Sequence, residues 1–510
     1  MQDISANNKR IAKNTILLYI RMFFLMAIGL YTSRIILDKL GAVDFGIYNV
    51  VGGFVTMFSV ISGTMTSASQ RFLSFEIGQE NKGNVKEVFN TIIYIHIFLA
   101  LIVLVCGETI GLWFLNSKMN YPIERSVAVN WTFQLSLITF MLNVVSVPYN
   151  AALIAYERMK AFAYIGILDA IMKLLICFII IRTPFDRLIT YAWLLTILAI
   201  SIQIIYMRYC HCNLTSCRFI GMFDKKTAKS IFSFVGWNTI GALACVAKDQ
   251  GVNVVLNLFF GPVVNAACGI AHQVLGKIQG FVSNFQLALN PQIIQLYSKN
   301  ERELMFKLVF RGAKFSYLMM LLLTVPIIVE AKLILGVWLK TVPQYTVIFL
   351  QLILINAVIT SISNPLIMSM HASGKVRDYQ IFVGSLSLLT LPCVYISFQI
   401  GFEPYYALII VILIELLCHI ARLLMLKRIM DFPAMSFLKE ITSRFFIIST
   451  ITLLLSFSIY RFVDIIALRF LLIAIESTLC VSILGFFIAC NDYERSFFKK
   501  KIIIALNKIR

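Results

Sequence analysis

The sequence predicts an all-α protein that crosses a membrane many times. Hydrophobic residues make up 59% of the 510-residue chain and charged residues only 14%, whereas about a quarter of an average soluble protein is charged. Apolar runs of about 20 residues recur from end to end, and each is long enough to cross the hydrocarbon core of a bilayer. Short alternating strands of the kind that build a transmembrane barrel are absent. The predicted class is therefore a polytopic helical membrane protein.

The number and orientation of the helices follow from the apolar runs and from the charges between them. The runs predict about fourteen transmembrane helices. Roughly three times as many Lys and Arg residues lie on the side that holds both termini as on the opposite side, and cytoplasmic loops are enriched in these residues. Both termini are therefore predicted in the cytoplasm. The net charge of +20 is then a topology signal, and no nucleic-acid partner is predicted.

Two pseudo-symmetric six-helix lobes and a C-terminal hairpin are the predicted organisation. A repeat at an offset of 220 residues supports it, because Leu40-Gly41 aligns with Phe260-Gly261 and the polar loops after each hairpin coincide. The predicted parts are an N-lobe (1–209), a cytoplasmic connecting loop (210–229), a C-lobe (230–428), additional helices 13 and 14 (429–490) and a basic cytoplasmic tail (491–510).

The sequence offers little evidence for metal binding or for enzymatic catalysis. The eleven cysteines lie mostly singly in apolar runs, where cysteine behaves as a small hydrophobe. The Cys210-His211-Cys212 segment matches no zinc-binding spacing, and no metal or cofactor is predicted. No nucleotide-binding loop and no nucleophile elbow is present. No cleaved signal peptide, no catalytic residue and no enzymatic activity is therefore predicted.

One stretch carries a family resemblance. The segment Leu40–Val55, LGAVDFGIYNVVGGFV, resembles the signature that follows the first helix of polysaccharide transporters. Asn8–Phe24 resembles their polar-then-apolar opening, and the predicted helix number and inward termini agree with it. These proteins are the O-antigen and capsule flippases of the multidrug, oligosaccharidyl-lipid and polysaccharide exporter (MOP) superfamily. The resemblance implies two lobes around a central cavity that opens to each side of the membrane in turn.

The resemblance also implies a cargo. Its members move undecaprenyl-diphosphate-linked oligosaccharide across the bacterial inner membrane for lipopolysaccharide or other surface polysaccharide biosynthesis. Implied partners are this lipid-linked oligosaccharide, membrane lipids, H⁺ or Na⁺ as the coupling ion, and polysaccharide polymerase and chain-length proteins. The alternative is a cation-coupled multidrug exporter of the same superfamily (MATE-like). A membrane glycosyltransferase is disfavoured because the outer loops are short.

Charged residues within the predicted helices are candidate site residues, because an ion in hydrocarbon is costly unless it is paired or solvated. Helices 1, 2, 7 and 8 line the cavity in the superfamily that the chain resembles, and their cations are the candidate ligands of a lipid diphosphate: Arg21, Arg34, Lys248 and Lys277. Lys277 lies nearest mid-membrane, whereas Arg34 could instead reach the outer interface. Four cations against Asp249 alone favour an anionic head group over a cationic drug.

Uncharged polar residues cluster in helices 2 and 8. Such runs suit a hydrated cavity that meets sugar hydroxyls, although small polar residues also allow close helix packing. The candidate cavity residues of this type are Gln70, Asn265, His272, Gln273 and Asn284.

Intramembrane carboxylates are the candidate coupling residues. Asp169 and Lys173 are four residues apart, so the spacing predicts an ion pair on one helix face. Asp249 is expected to pair with a cation of another helix or to bind a coupling cation. Glu415 and His419, also four residues apart, form a candidate proton relay or a polar contact between helices.

Overall fold

The computed structural model describes residues 2–56, 59–79, 84–117, 122–339, 342–490 and 494–496. Every regular element within these ranges is a helix, which confirms the predicted all-α class. The predicted tail beyond Ser496 lies outside the described residues. The α-helices are α1 (Gln2–Thr56), α2 (Ser59–Gly78), α3 (Val85–Cys106), α4 (Leu112–Ser117), α5 (Ser126–Ala155), α6 (Met159–Arg182), α7 (Arg187–Asn213), α8 (Lys225–Ser298), α9 (Arg302–Val329), α10 (Ala331–Trp338), α11 (Thr346–Ser361), α12 (Ser363–Ser373), α13 (Val376–Leu388), α14 (Thr390–Gln399), α15 (Tyr406–Met430), α16 (Ala434–Phe437), α17 (Ser443–Phe462) and α18 (Ile466–Leu484).

Many of these helices have the length and composition of membrane spans. Within the described residues, ten helical stretches are long and apolar enough to cross a membrane. An eleventh is obtained if α11 and α12, which meet at an angle of 43°, form one broken span. These stretches confirm a multi-pass helical membrane protein. They do not confirm the predicted number of fourteen, which stays a prediction.

Helices α1 and α8 are each interrupted at one glycine. Gly41 has φ 80° and ψ 167°, and Gly261 has φ 79° and ψ −177°. This backbone region is essentially restricted to glycine, because a Cβ atom would strain it. Each long helix therefore consists of two helices that meet at a break. The two glycines are the pair that the sequence repeat aligns, and they adopt the same conformation.

A second correspondence appears later in each half of the chain, at an offset of 217 residues. The turn after α5 places Glu157 at φ 53°, and the turn after α12 places Gly374 at φ 72°. The next helices then begin at Met159 and Val376. Two independent matches of backbone geometry support the inference that the chain contains a structural duplication.

The described residues divide into two compact units. The first unit comprises Met1–Ala242 and Leu287–Glu301, and the second comprises Leu243–Gln286 and the described part of Arg302–Arg510. Helix α8 therefore contributes residues to both units. Two lobes are present as expected, while the predicted lobe boundaries at 209 and 230 stay predictions.

The connection between α7 and α8 is bound to α3 of the first unit. The buried Asn90 side chain donates from Nδ2 to the Arg218 carbonyl at 2.9 Å and accepts at Oδ1 from the Ile220 amide at 2.8 Å. The Thr91 hydroxyl accepts from the Asp224 amide at 3.1 Å. Because both side chains are fully buried, these bonds are shielded from water and fix the course of the connection.

Candidate functional site

Three of the predicted site residues line one cavity in the second unit. Lys248, Asp249 and His272 border a cavity of about 60 Å³, to which Asn253 and Asn356 add amide groups. Lys248 Nζ lies 3.6 Å from Asp249 Oδ1. The Lys248 side chain is 14% exposed and that of Asp249 is 61% exposed. The cavity therefore combines a cation, a carboxylate, an imidazole and an amide from the two sides of the break in α8 with a second amide, Asn356, from α11.

A buried ionic network centres on Arg422 of α15. Its Nη1 donates to Glu415 Oε1 at 2.7 Å and to Ser363 Oγ at 3.1 Å, and its Nε donates to the Tyr379 hydroxyl at 3.3 Å. The Arg422 and Glu415 side chains are each 9% exposed. Lys248 also interacts electrostatically with Glu415. The network thus joins α12, α13 and α15 and reaches the cavity-lining lysine of α8.

His419 belongs to the same network. Its Nδ1 lies 3.2 Å from Ser363 Oγ, and its Nε2 has no hydrogen-bond partner within the described part of the chain. Glu415 is engaged by Arg422 rather than by the imidazole. Glu415 and His419 are therefore joined only through Arg422 and Ser363 within the described residues, and proton transfer between them stays a prediction.

Arg21 lies against α6 in the first unit. Its guanidinium carbon is 4.4 Å from the centroid of the Phe162 ring, a distance at which a cation is attracted to a ring face. A Cβ atom at position 166 would lie 2.4 Å from Arg21 Nε, so Gly166 provides the space for the guanidinium. This packing explains how the charge is accommodated inside the helix bundle.

The first unit contains a polar cavity of about 290 Å³. Asp169 and Lys173 line it, and their side chains form the predicted ion pair at 2.7 Å. Asn143, Tyr48 and Tyr191 also line it, and the two tyrosine rings pack edge to face with centroids 5.1 Å apart. The i, i+4 ion pair is therefore confirmed, and it lies at the wall of a cavity.

Lys277 follows the break in α8 and its side chain is exposed. Within the described residues it takes part in no ion pair. Arg34 lies in α1, but its side chain is outside the described residues, so its role as a diphosphate ligand stays a prediction.

The remaining polar candidates do not share one environment. Gln70, Asn265 and Asn284 are partly exposed and Gln273 is exposed. Asn284 donates from Nδ2 to the Gly280 carbonyl of its own helix at 2.8 Å. Their contact with sugar hydroxyls stays a prediction.

An ionic cluster that the sequence analysis missed joins Asp44, within the family-like stretch, to two other segments. Arg125 donates from Nε and Nη2 to the Asp44 carboxylate at 2.9 and 2.5 Å, and it also bonds Asp186. Asp186 caps α7 by accepting from the Ile189 amide at 3.1 Å. Burial alone would raise the pKa of Asp186, but the bonds from Arg125 and from backbone amides outweigh it and lower the pKa. An aspartate just before a helix start is a recognisable cap signal, whereas its arginine partner is distant in sequence.

Solved structures resemble this architecture over nearly their whole length. An outward-facing multidrug resistance MATE family transporter of the MOP superfamily matches with a TM-score of 0.71 and 12% identity, over 84% of this chain and 97% of that one. The chain has a MATE-like transporter fold. A MATE transporter of Vibrio cholerae in its bent form matches with a TM-score of 0.68 and 18% identity, over 86% and 99%. No protein-family model and no curated protein sequence matches the chain.

A third match bears on the polarity of the site. It is a MOP superfamily transporter from Pyrococcus furiosus, described as having a binding pocket of reversed polarity that suggests a different function. It has a TM-score of 0.68 and 12% identity, over 84% of this chain and 96% of that one. Identities this low establish the fold alone. The superfamily fold expected from the sequence is thus confirmed, while assignment to the polysaccharide transporters stays a prediction.

Proposed function

We propose that the protein is an alternating-access transporter of the bacterial inner membrane, with both termini in the cytoplasm, that moves a lipid-linked oligosaccharide with a diphosphate head group. The observation that carries this proposal is the charge balance of the candidate residues within each unit. Each of the three described carboxylates, one in the first unit and two in the second, lies within ion-pair distance of a cation. The pairs are Lys173 with Asp169 at 2.7 Å, Lys248 with Asp249 at 3.6 Å and Arg422 with Glu415 at 2.7 Å.

Two candidate cations remain after these pairs are made. Arg21 and Lys277 form no ion pair with a described carboxylate, and Lys277 is exposed. Arginine can hold phosphate oxygens through two parallel hydrogen bonds, and lysine adds a point charge. The surplus positive charge therefore favours a cargo with an anionic head group. H⁺ or Na⁺ coupling, and association with polymerase and chain-length proteins, belong to this proposal as expectations.

A second candidate, a cation-coupled multidrug exporter, fits the comparisons better than the flippase does. Two of the similar structures described above are MATE transporters, and one is described as a multidrug resistance protein. Such an exporter needs a carboxylate that a cationic drug or a coupling ion can reach. Asp249 suits this role, because its side chain is 61% exposed and Lys248 Nζ lies at 3.6 Å, beyond ordinary hydrogen-bond distance. The Pyrococcus furiosus neighbour suggests that pocket polarity separates functions within this fold.

One experiment separates the two candidates. The gene is deleted, and labelled undecaprenyl-diphosphate oligosaccharide is followed in spheroplasts alongside sensitivity to cationic drugs. We expect the labelled lipid to accumulate on the inner leaflet, and we expect wild type and Lys277→Arg, but not Lys277→Ala, to restore its export.

The opposite pattern would favour drug export. Normal glycan export in the deletion strain, with new drug sensitivity that wild type but not Asp249→Asn relieves, would overturn the flippase proposal. Each variant is compared at matched membrane abundance, so that lost function is distinguished from lost protein.

A further inference from the structure

A pocket of about 390 Å³ lies in the second unit and shares no residue with the cavities described above. Helix α9, α16 and the start of α17 form most of its wall. Phe306, Phe310 and Ile441 supply an apolar part of the lining, and charged side chains supply the rest. A lining of this mixed kind suits an amphiphilic ligand.

The charged part of the described wall consists of four cations and three carboxylates. Lys307, Arg311 and Lys314 recur at i, i+4 and i+7 on α9, a spacing that places them on one helix face, and all three line the pocket together with Arg444 of α17. The carboxylates in the lining are those of Glu303, Glu440 and Glu494.

Glu494 shows that the basic face binds an oxyanion. Its Oε2 lies 2.6 Å from Lys314 Nζ, and its Oε1 lies 3.2 Å from Arg311 Nε. The Glu494 and Lys314 side chains are 6% and 7% exposed. Buried charges of this kind are stable only when paired, so the chain provides its own carboxylate to two clustered cations.

The following residue holds Glu494 in this position. Arg495 donates from Nε to the Phe486 carbonyl at 3.1 Å and from Nη2 to the Phe487 carbonyl at 2.5 Å. Both carbonyls belong to the π-helical turn Gly485–Ala489 that ends the last hairpin, and carbonyls at a helix end attract a cation. Withdrawal of Glu494 would break its ion pairs with Arg311 and Lys314, and another anion could then take the place of its carboxylate.

We propose that this pocket is a binding site for a phosphate ester, supplied by the head group of an anionic lipid, whose phosphate oxygens replace the Glu494 carboxylate on Arg311 and Lys314. The end of α9 that carries these cations is the end predicted to face the cytoplasm. Basic pockets between membrane helices on that side bind anionic head groups. The apolar lining accommodates the start of the acyl chains. The site is independent of the transported cargo.

Binding of a fluorescent short-chain phosphatidylglycerol to the full-length protein in neutral detergent tests the proposal. Glu494→Gln should tighten binding, because the competing carboxylate is lost. Adding Arg311→Gln to that variant should weaken binding about tenfold, the typical effect of one charge-assisted hydrogen bond. Lys332→Gln, an exposed lysine of α10, is the matched control and should leave binding unchanged.

Competition with inorganic phosphate distinguishes the source of the anion. Displacement of the lipid by millimolar phosphate would indicate a site for the phosphate group itself. Retention of the lipid would indicate recognition of the whole head group. Both outcomes support a phosphate site. Equal binding by wild type, Glu494→Gln and the double variant, with unchanged thermal unfolding, would overturn the proposal. Because both variants remove the carboxylate that pairs with the buried Lys314, thermal unfolding of each variant is measured alongside binding.

Discussion

The two units share one type of helix break but stabilise it differently, with ion pairs in the first unit and with aromatic rings in the second. In the first unit, Gly41 is followed by Asp44, which Arg125 links to the cap of α7 at Asp186. These side chains are 16 to 30% exposed, so water and salt reach them. Ion pairs therefore stabilise this break, and their contribution depends on salt and on pH.

The break at Gly261 follows two phenylalanines. Phe260 packs edge to face on Phe398 with ring centroids 4.8 Å apart, and Phe259 packs on Tyr395 and Phe398 at 5.4 and 5.5 Å. Such ring pairs are stabilising beyond the area that they bury and carry no titratable carboxylate. Packing of aromatic rings therefore stabilises this break.

Both units also contain an ion pair in their interior. In the second unit the Arg422–Glu415 pair is buried, whereas in the first unit the Lys173–Asp169 pair lines a 290 Å³ cavity and its lysine is half-exposed. The comparison teaches that glycine is required by the backbone at both breaks. The side chains around the breaks are under no such steric requirement and differ between the two units.

Removing the buried cation of Arg422 should have the largest effect on the free energy of unfolding. Arg422→Gln leaves Glu415 unpaired in an environment where it is 9% exposed, and breaking such a pair typically destabilises by about 3–5 kcal/mol. Thermal unfolding of the purified protein in detergent measures the effect. The double variant Arg422→Gln with Glu415→Gln should recover part of the loss, because no lone charge remains.

The matched control for this prediction is Arg428→Gln, an exposed arginine of the same helix, which should change unfolding little. Equal losses in Arg422→Gln and in the double variant would show that packing, rather than the uncompensated charge, sets the cost.

Substitution of the two break glycines should have the next largest effect. Gly41→Ala and Gly261→Ala each place a Cβ atom on backbone at φ near 80°, which should cost about 1–3 kcal/mol. No atom of the described residues lies within 4 Å of either added Cβ, so the loss would come from backbone strain and should be similar at both sites.

Glycines in regular helix provide the control. Gly29→Ala and Gly276→Ala also meet no atom within 4 Å, and alanine is the better helix former. We expect these variants to be neutral or slightly stabilised. A clear difference between Gly41→Ala and Gly261→Ala would mean that the two breaks are not equivalent.

The sequence predicted the features that depend on local spacing. The Asp169–Lys173 pair follows from an i, i+4 interval, and the Gly41–Gly261 correspondence follows from a fixed offset between two hairpins. Both depend on residue type and distance along the chain, which the sequence contains in full.

The features that the sequence analysis missed depend on long-range packing. Arg422 begins a basic stretch (422–444) that the Lys and Arg bias places on the cytoplasmic side, so it is not among the candidate site residues. Arg422 and Glu415 lie seven residues apart on α15, but the bonds of Arg422 to Ser363 and Tyr379 come from the packing of other helices. Likewise, Arg125 lies 81 residues from Asp44. No local pattern brings such residues together, because their contacts are set by which helices pack side by side.

Asp186 should give the smallest effect and the sharpest test of the contrast between the two breaks. Its pKa in the folded protein is lowered, so its ion pair stabilises above the unfolded pKa of about 3.9 and loses this effect as the pH falls through the folded pKa. Asp186→Asn keeps the helix cap, since Asn caps as well as Asp, but removes the charge. It should therefore cost about 1 kcal/mol at pH 7, as expected for a partly exposed pair, and less at pH 3. Phe398→Leu in the second unit should lower the unfolding temperature equally at both pH values. A pH-dependent loss in this variant would mean that charge also stabilises the break at Gly261.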